Sequence, residues 1–294
     1  MSAEDLSKFK AVWSETKEQR RSALARHMAD ITEDNYLVDF SPIFAYLMTD
    51  ESPNVKIAAL DGTWDSEDTR LITPIIEMMA KDSDVHVRAA AARALAHYIL
   101  LAEWGQIESA HSGFIVDALL AELAEPTTPV EVRRAALVAV ASADHPAIAQ
   151  YILEAYEDGA EGLQLSAIFA MGNSADSVWL PTLEQELTSP SADFRAEAAR
   201  ACGMIGDSRA IDVIEELLND EDPDVTVAAI YALGQIGGDR AFDILSDLAE
   251  DSDFEEFQDA VDEALEELEW TGGEMDLFSL PDDEDFPSDD PRLN

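Results

Sequence analysis

An apolar residue that opens a small-residue helical pattern returns seven times along this chain, as Val55, Val87, Val132, Leu163, Phe194, Val225 and Phe257. The successive gaps are 32, 45, 31, 31, 31 and 32 residues. A period of this length constrains the fold more than any motif does, because it means that one short supersecondary unit is stacked on its own copies. The single long gap holds an extra segment, 99-ILLAEWGQIESAHS-112. In this register position +4 is Ala59, Ala91, Ala136, Ala167, Ala198, Ala229 and Val261, and position +7 is Gly62 followed by six alanines. Positions 0, +4, +7 and +8 share one stripe of a 3.6-residue helix, and small side chains there let helices approach closely.

The segment before each of these helices carries its own amphipathic pattern, as in Ile72, Ile75, Ile76 and Met79, or Ile211, Ile214, Leu217 and Leu218. Each unit therefore reads as a helical hairpin. Ser52-Pro53 and Asp222-Pro223, with Thr128-Pro129 close by, place an N-cap and an early proline where the second helix should begin, and Gly-Asp pairs at 206–207 and 238–239 should end it. A hairpin this short cannot bury both apolar faces alone, so neighbours must stack into a solenoid. Residues 1–35, with apolar faces at Leu6, Phe9, Val12, Trp13 and at Leu24, Met28, Ile31, are expected to form an N-terminal helical cap.

The strings 225-VTVAAIYALGQIGGDRA-241, 194-FRAEAARACGMIGDSRA-210 and 87-VRAAAARALAHY-98 resemble the HEAT repeat, in the short bacterial form described in phycobilisome lyase subunits. The Arg that usually follows the opening residue is present as Arg88, Arg133 and Arg195, and is replaced by Lys56, Gln164, Thr226 and Gln258 elsewhere. The resemblance implies an all-α, right-handed α-α superhelical solenoid of about seven hairpins over residues 36–270. It specifies architecture and leaves function open.

Charge narrows the partners. Eighteen basic against 63 acidic residues give a formal charge of -45, and nucleic-acid or anionic-membrane binding depends on Lys and Arg that this chain lacks. Only five of the basic residues are Lys, which suits a salty cell interior, and an acidic face for a basic partner is the other reading. The one cysteine, Cys202, excludes an intrachain disulfide framework and sits at core position +8. With no apolar run of signal-peptide or membrane-span length, the chain is expected to be soluble and cytoplasmic.

Signals for chemistry are weak. Deoxyhypusine hydroxylase, a di-iron enzyme built from similar repeats, takes its ligands from His-Glu pairs, and none of the five histidines here is followed by Glu. Asp220, Asp222 and Asp224 alternate like the start of a calcium loop, but Val225 and Tyr231 stand where the Gly and the bidentate Glu belong. No Gly-rich phosphate loop and no G-x-S-x-G occurs. No cofactor, no metal and no catalytic residue is expected. Resemblance to the bilin lyase subunits leaves membership of a lyase or other modifying complex as the alternative to a non-catalytic scaffold.

In such solenoids the second helices line the concave side. If 0, +4, +7 and +8 face the core, then +2, +5, +6 and +9 should face outward or toward the next unit. Over units three to six this places Arg134, Leu137, Leu165, Ile168, Phe169, Arg200, Val227, Ile230 and Tyr231 on an apolar groove with basic points, expected to hold a protein or peptide partner. The stretch 271–294 opens with Gly-Gly, is rich in acids and proline, and is expected to be a disordered tail whose cluster around Phe278 can dock into a groove, its own or a partner's.

Overall fold

The computed structural model describes residues 2–34 and 40–277, which contain sixteen α-helices and no strand. The first two, α1 (Ala3–Glu15) and α2 (Glu18–Asp34), form the expected cap, with α2 packed against the second helix of the first hairpin. Seven hairpins follow. They are α3 (Ser41–Leu47) with α4 (Pro53–Asp61), α5 (Ile72–Lys81) with α6 (Val85–Glu103), and α7 (Ala110–Ala124) with α8 (Val130–Val140). Next come α9 (Ile148–Glu157) with α10 (Glu161–Asn173), and α11 (Leu180–Glu186) with α12 (Ala192–Ile205). The last two are α13 (Ile211–Glu216) with α14 (Pro223–Ile236), and α15 (Gly238–Glu250) with α16 (Gln258–Leu277).

The sequence register maps onto these elements residue by residue. In the first six hairpins the opening apolar residue is the third residue of the second helix; in the seventh, Phe257 ends the 3-10 segment just before α16. All seven residues at position +4, from Ala59 to Val261, are fully buried. Val55, Val87, Val132 and Val225 are fully buried as well, each contributing roughly 1.5–3 kcal/mol by leaving water. The extra segment in the second unit lengthens α6 to Glu103 and turns through Gly105 toward α7.

Small residues bring the second helices together side by side. A Cβ on Gly203, at position +9 of α12, would stand 2.9 Å from the Ala232 Cα at position +7 of α14. Gly234 meets Ala264 of α16 in the same way, at 3.1 Å from its Cα. In these two pairs the alanine at +7 faces the glycine at +9 of the preceding helix, which leaves no room there for a larger side chain.

A second device ties the first hairpin to the second and the fifth to the sixth. The base that follows the opening residue reaches an acid five residues before the next opening residue: Lys56 Nζ lies 2.7 Å from Asp82 Oδ2, and Arg195 binds both oxygens of Asp220 at 2.7 Å. Asp82 and Asp220 also accept the backbone N–H of residues 84 and 222, at 2.9 Å each. The cap uses the same fitting, with Asp50 accepting from Trp13 Nε1, Arg21 and the Ser52 N–H. Arg88, Gln164 and Arg195 additionally donate to a carbonyl near the end of the first helix, those of Met79, Tyr156 and Ser189. The alternating acids 220, 222 and 224 are therefore a bridge and a helix cap: Asp222 accepts from the Asp224 N–H at 3.0 Å.

Two boundaries differ from the sequence expectation. Gly206 ends α12 in the left-handed conformation, φ 71°, as expected, but α14 is ended by Gly237, and the pair at 238–239 opens α15 instead. Helix α16 runs through Gly272 and Gly273 to Leu277, where a break after residue 270 was expected. Phe278 and the rest of the expected tail lie outside the described residues. The chain divides into two compact units, Met1–Trp179 and Leu180–Asn294, each described by itself below.

Candidate functional site

In the first unit the second helices share a hollow of about 370 Å³. Its lining comes from α4, α6, α8 and α10 alone: Ile57; His86, Ala89 and Arg93; Glu131, Arg134, Ala135 and Val138; Ser166. In the repeat register these are mostly positions -1, +2, +3 and +6. Helix geometry explains the choice. At roughly 100° per residue, +2 and +6 lie about 200° and 240° from position 0, opposite the core stripe.

The same geometry corrects part of the expected surface. Position +5 lies only about 140° around, on the flank by which second helices pack side by side, and not on the open face. Leu137, Ile168 and Ile230 are accordingly fully buried and belong to the core. Leu165, Phe169 and Val227 are half-buried and keep a face toward solvent. The sequence expectation covers only the second helices of the third to sixth hairpins. Extending +2 and +6 back to the first two units finds Ile57, Ala89 and Arg93, which the sequence reading missed.

Arg134 is exposed and held in place. Its Nε donates to Ser166 Oγ at 2.9 Å, and Ser166 Oγ in turn donates to the Gly162 carbonyl at 3.0 Å. The guanidinium lies over Gly162, where a Cβ would stand 3.2 Å from Nη1, so α10 presents bare backbone to it. Neither Arg134 nor Arg93 is in an ion pair among the described residues. Eleven other Lys and Arg side chains are.

In the second unit the expected basic point is already engaged, since Arg200 Nη1 lies 3.2 Å from Glu197 Oε2 on its own helix. Burial pushes the Glu197 carboxyl above its usual range, while Arg200 pulls it back. Tyr231 donates its hydroxyl to Glu263 Oε2 at 2.6 Å, and that carboxylate raises the phenol. Arg200 and Tyr231 are thus positioned by acids of their own unit.

Cys202 is buried in α12, and burial, with Glu184 nearby, pushes its thiol up to about 12. A thiol held protonated is a poor nucleophile. Iodoacetamide is expected to leave the folded protein unlabelled and to label it stoichiometrically in urea; labelling at native rates would contradict the packing of α12. The described residues hold no helix long and apolar enough to cross a membrane.

A family model for HEAT repeats matches residues 40–103 and 180–266, just over half of the chain. No curated protein matches. Among solved structures, the Escherichia coli protein YibA is similar over 86% of this chain and 98% of its own, at 17% identity and a TM-score of 0.48. Human deoxyhypusine hydroxylase, in complex with glycerol, is similar over 78% of this chain and 84% of its own, at 20% identity and a TM-score of 0.37. An engineered protein covers 68% of this chain with 96% of its own length, at 22% identity and a TM-score of 0.41. None of them lends this chain a function.

Proposed function

This chain belongs to the HEAT-repeat family, and on that premise we propose that it is a non-catalytic scaffold which holds a protein or peptide along the open face of its second helices. The observation that carries the reading is the hollow formed by α4, α6, α8 and α10, in which apolar side chains and two arginines converge and to which no first helix contributes. A row of parallel helices offers an extended surface of regularly spaced positions, which suits recognition of an extended or helical segment. The reading assigns no chemical step to the chain, in keeping with a sequence that lacks His-Glu pairs and a Gly-rich phosphate loop. We place it in the cytoplasm, where its single thiol needs no partner.

The test is affinity capture from the native lysate with the full-length protein and with the double variant Val138→Asp, Phe169→Asp. Both side chains are half-buried and stand at position +6, so carboxylates there put charge on the binding face while leaving the core intact. A genuine groove ligand is expected to lose affinity at least about thirtyfold, the scale of a central contact, with unchanged helicity. A partner retained equally by both proteins would place binding elsewhere.

A further inference from the structure

Resting on that reading, we propose that Arg134 and Arg93 read a carboxylate on the bound segment, so that the first-unit groove takes an acidic peptide flanked by apolar residues. The argument begins with the surplus of acids. Among the described residues eight of twelve arginines sit in ion pairs, and of the four that do not, Arg20, Arg93, Arg133 and Arg134, two border the first-unit hollow. Glu131 lines the same hollow and is paired with neither of them.

Arg134 is also organised in advance. Ser166 fixes its Nε with a neutral acceptor, and Gly162, with no side chain, leaves room for the guanidinium beside α10. The Nη donors remain for an incoming group, and a guanidinium fork matches a carboxylate in two parallel hydrogen bonds. Because its side chain is already ordered by the Ser166 bond, less rotamer entropy is lost on binding than for a free surface arginine. Arg93, at +6 of α6, borders the same hollow.

The surroundings decide what carries the carboxylate. Ile57, Ala89, Ala135 and Val138 line the hollow beside His86, Glu131 and Ser166, and match apolar neighbours on a peptide. A polyanion such as a nucleic acid meets the repulsion of a chain at -45 along its whole length, whereas a peptide brings one or two charges to two cations. At physiological salt the Debye length is about 8 Å, so distant acids are screened while the contact pair is felt.

The experiment selects ligands for the full-length protein from a display library of random peptides at physiological salt. Selected peptides are expected to carry Asp or Glu beside apolar residues. Changing that acid to its amide, or making Arg134→Gln, should each weaken binding at least about tenfold, as for other hydrogen bonds to charged groups. Combining the two changes should add little to either alone, because both remove one shared contact. Peptides selected without an acid, or acidic peptides that bind Arg93→Gln, Arg134→Gln undiminished, overturn the inference while leaving the groove as a binding surface. Displacement of the peptide by a single-stranded DNA oligonucleotide overturns it in favour of a nucleic acid. Peptides that bind the Val138→Asp, Phe169→Asp variant as well as wild type, or no selected peptide at all, overturn both the inference and the scaffold reading.

Discussion

Arg195→Ala is expected to lower the unfolding free energy by about 3 kcal/mol, measured by urea titration at neutral pH. The two side chains of the Arg195–Asp220 pair retain 17% and 9% of their exposure, so the change leaves a largely covered carboxylate without its cation. Removing one partner of a buried pair costs about 3–5 kcal/mol, and the residual exposure of Arg195 places this case at the low end. The variant also forfeits the 2.8 Å bond from Arg195 to the Ser189 carbonyl, which joins α12 to the end of α11. Arg209→Ala serves as the control. Arg209 pairs with Asp207 at the surface of a turn, and its loss should leave the urea midpoint unchanged.

The same pair sets an acid response. The hydrogen bonds from Arg195 hold the Asp220 carboxyl below its usual value, against burial and with help from the Asp222 N–H. A carboxylate depressed in the folded state contributes stability that is fully present above its unfolded value, near 3.8, and is lost as pH falls through the folded one. Wild type should therefore lose part of its advantage over Arg195→Ala as the pH is taken below about 3.8. An unchanged difference at acid pH would mean that the pair contributes through packing and not through charge.

The second large effect is expected at Gly203, where Gly203→Leu should cost about 3 kcal/mol or prevent folding of the second unit. A Cβ there stands 2.5 Å from the Gln235 amide oxygen, which can rotate away, and 2.9 Å from the Ala232 Cα, which cannot. Both variants share that Cβ contact and gain helix propensity over glycine, about 1 kcal/mol for alanine, so the three further carbons of leucine, with no space to enter, set the difference and Gly203→Ala should lose less. The series measures how closely α12 and α14 approach. If leucine were accommodated at a cost below that of alanine, the +7/+9 contact would not set the spacing of the second helices.

What the sequence made legible follows from which contacts are local. The period of 31 and 32 residues, the buried +4 column and the seven hairpins could be read because each helix repeats its own core stripe within eight residues. The burial of part of the expected groove has a related reason. A helical wheel with one apolar stripe describes a helix buried on one side, whereas these second helices are also covered on the flanks, which draws Leu137, Ile168 and Ile230 into the core.

Contacts between hairpins were not legible. The bridge from Arg195 to Asp220 spans 25 residues and that from Lys56 to Asp82 spans 26, so the acids look like ordinary turn residues in the linear chain. The seat of Arg134 depends on Ser166, 32 residues away, and on a missing Cβ at Gly162. In sequence, Arg134 and Arg200 looked alike as basic points in an acidic protein. Only the Glu197 carboxylate beside Arg200 and the neutral Ser166 beside Arg134 separate them.

The central claim, that the second helices form the binding face, is tested most directly by photo-crosslinking. A library-selected peptide with a photoreactive residue, irradiated on the full-length protein and mapped by mass spectrometry, is expected to attach within α6, α8 and α10, at residues such as Arg93, Arg134, Val138 and Phe169. Attachment confined to the first helices α5, α7 and α9 would contradict the account.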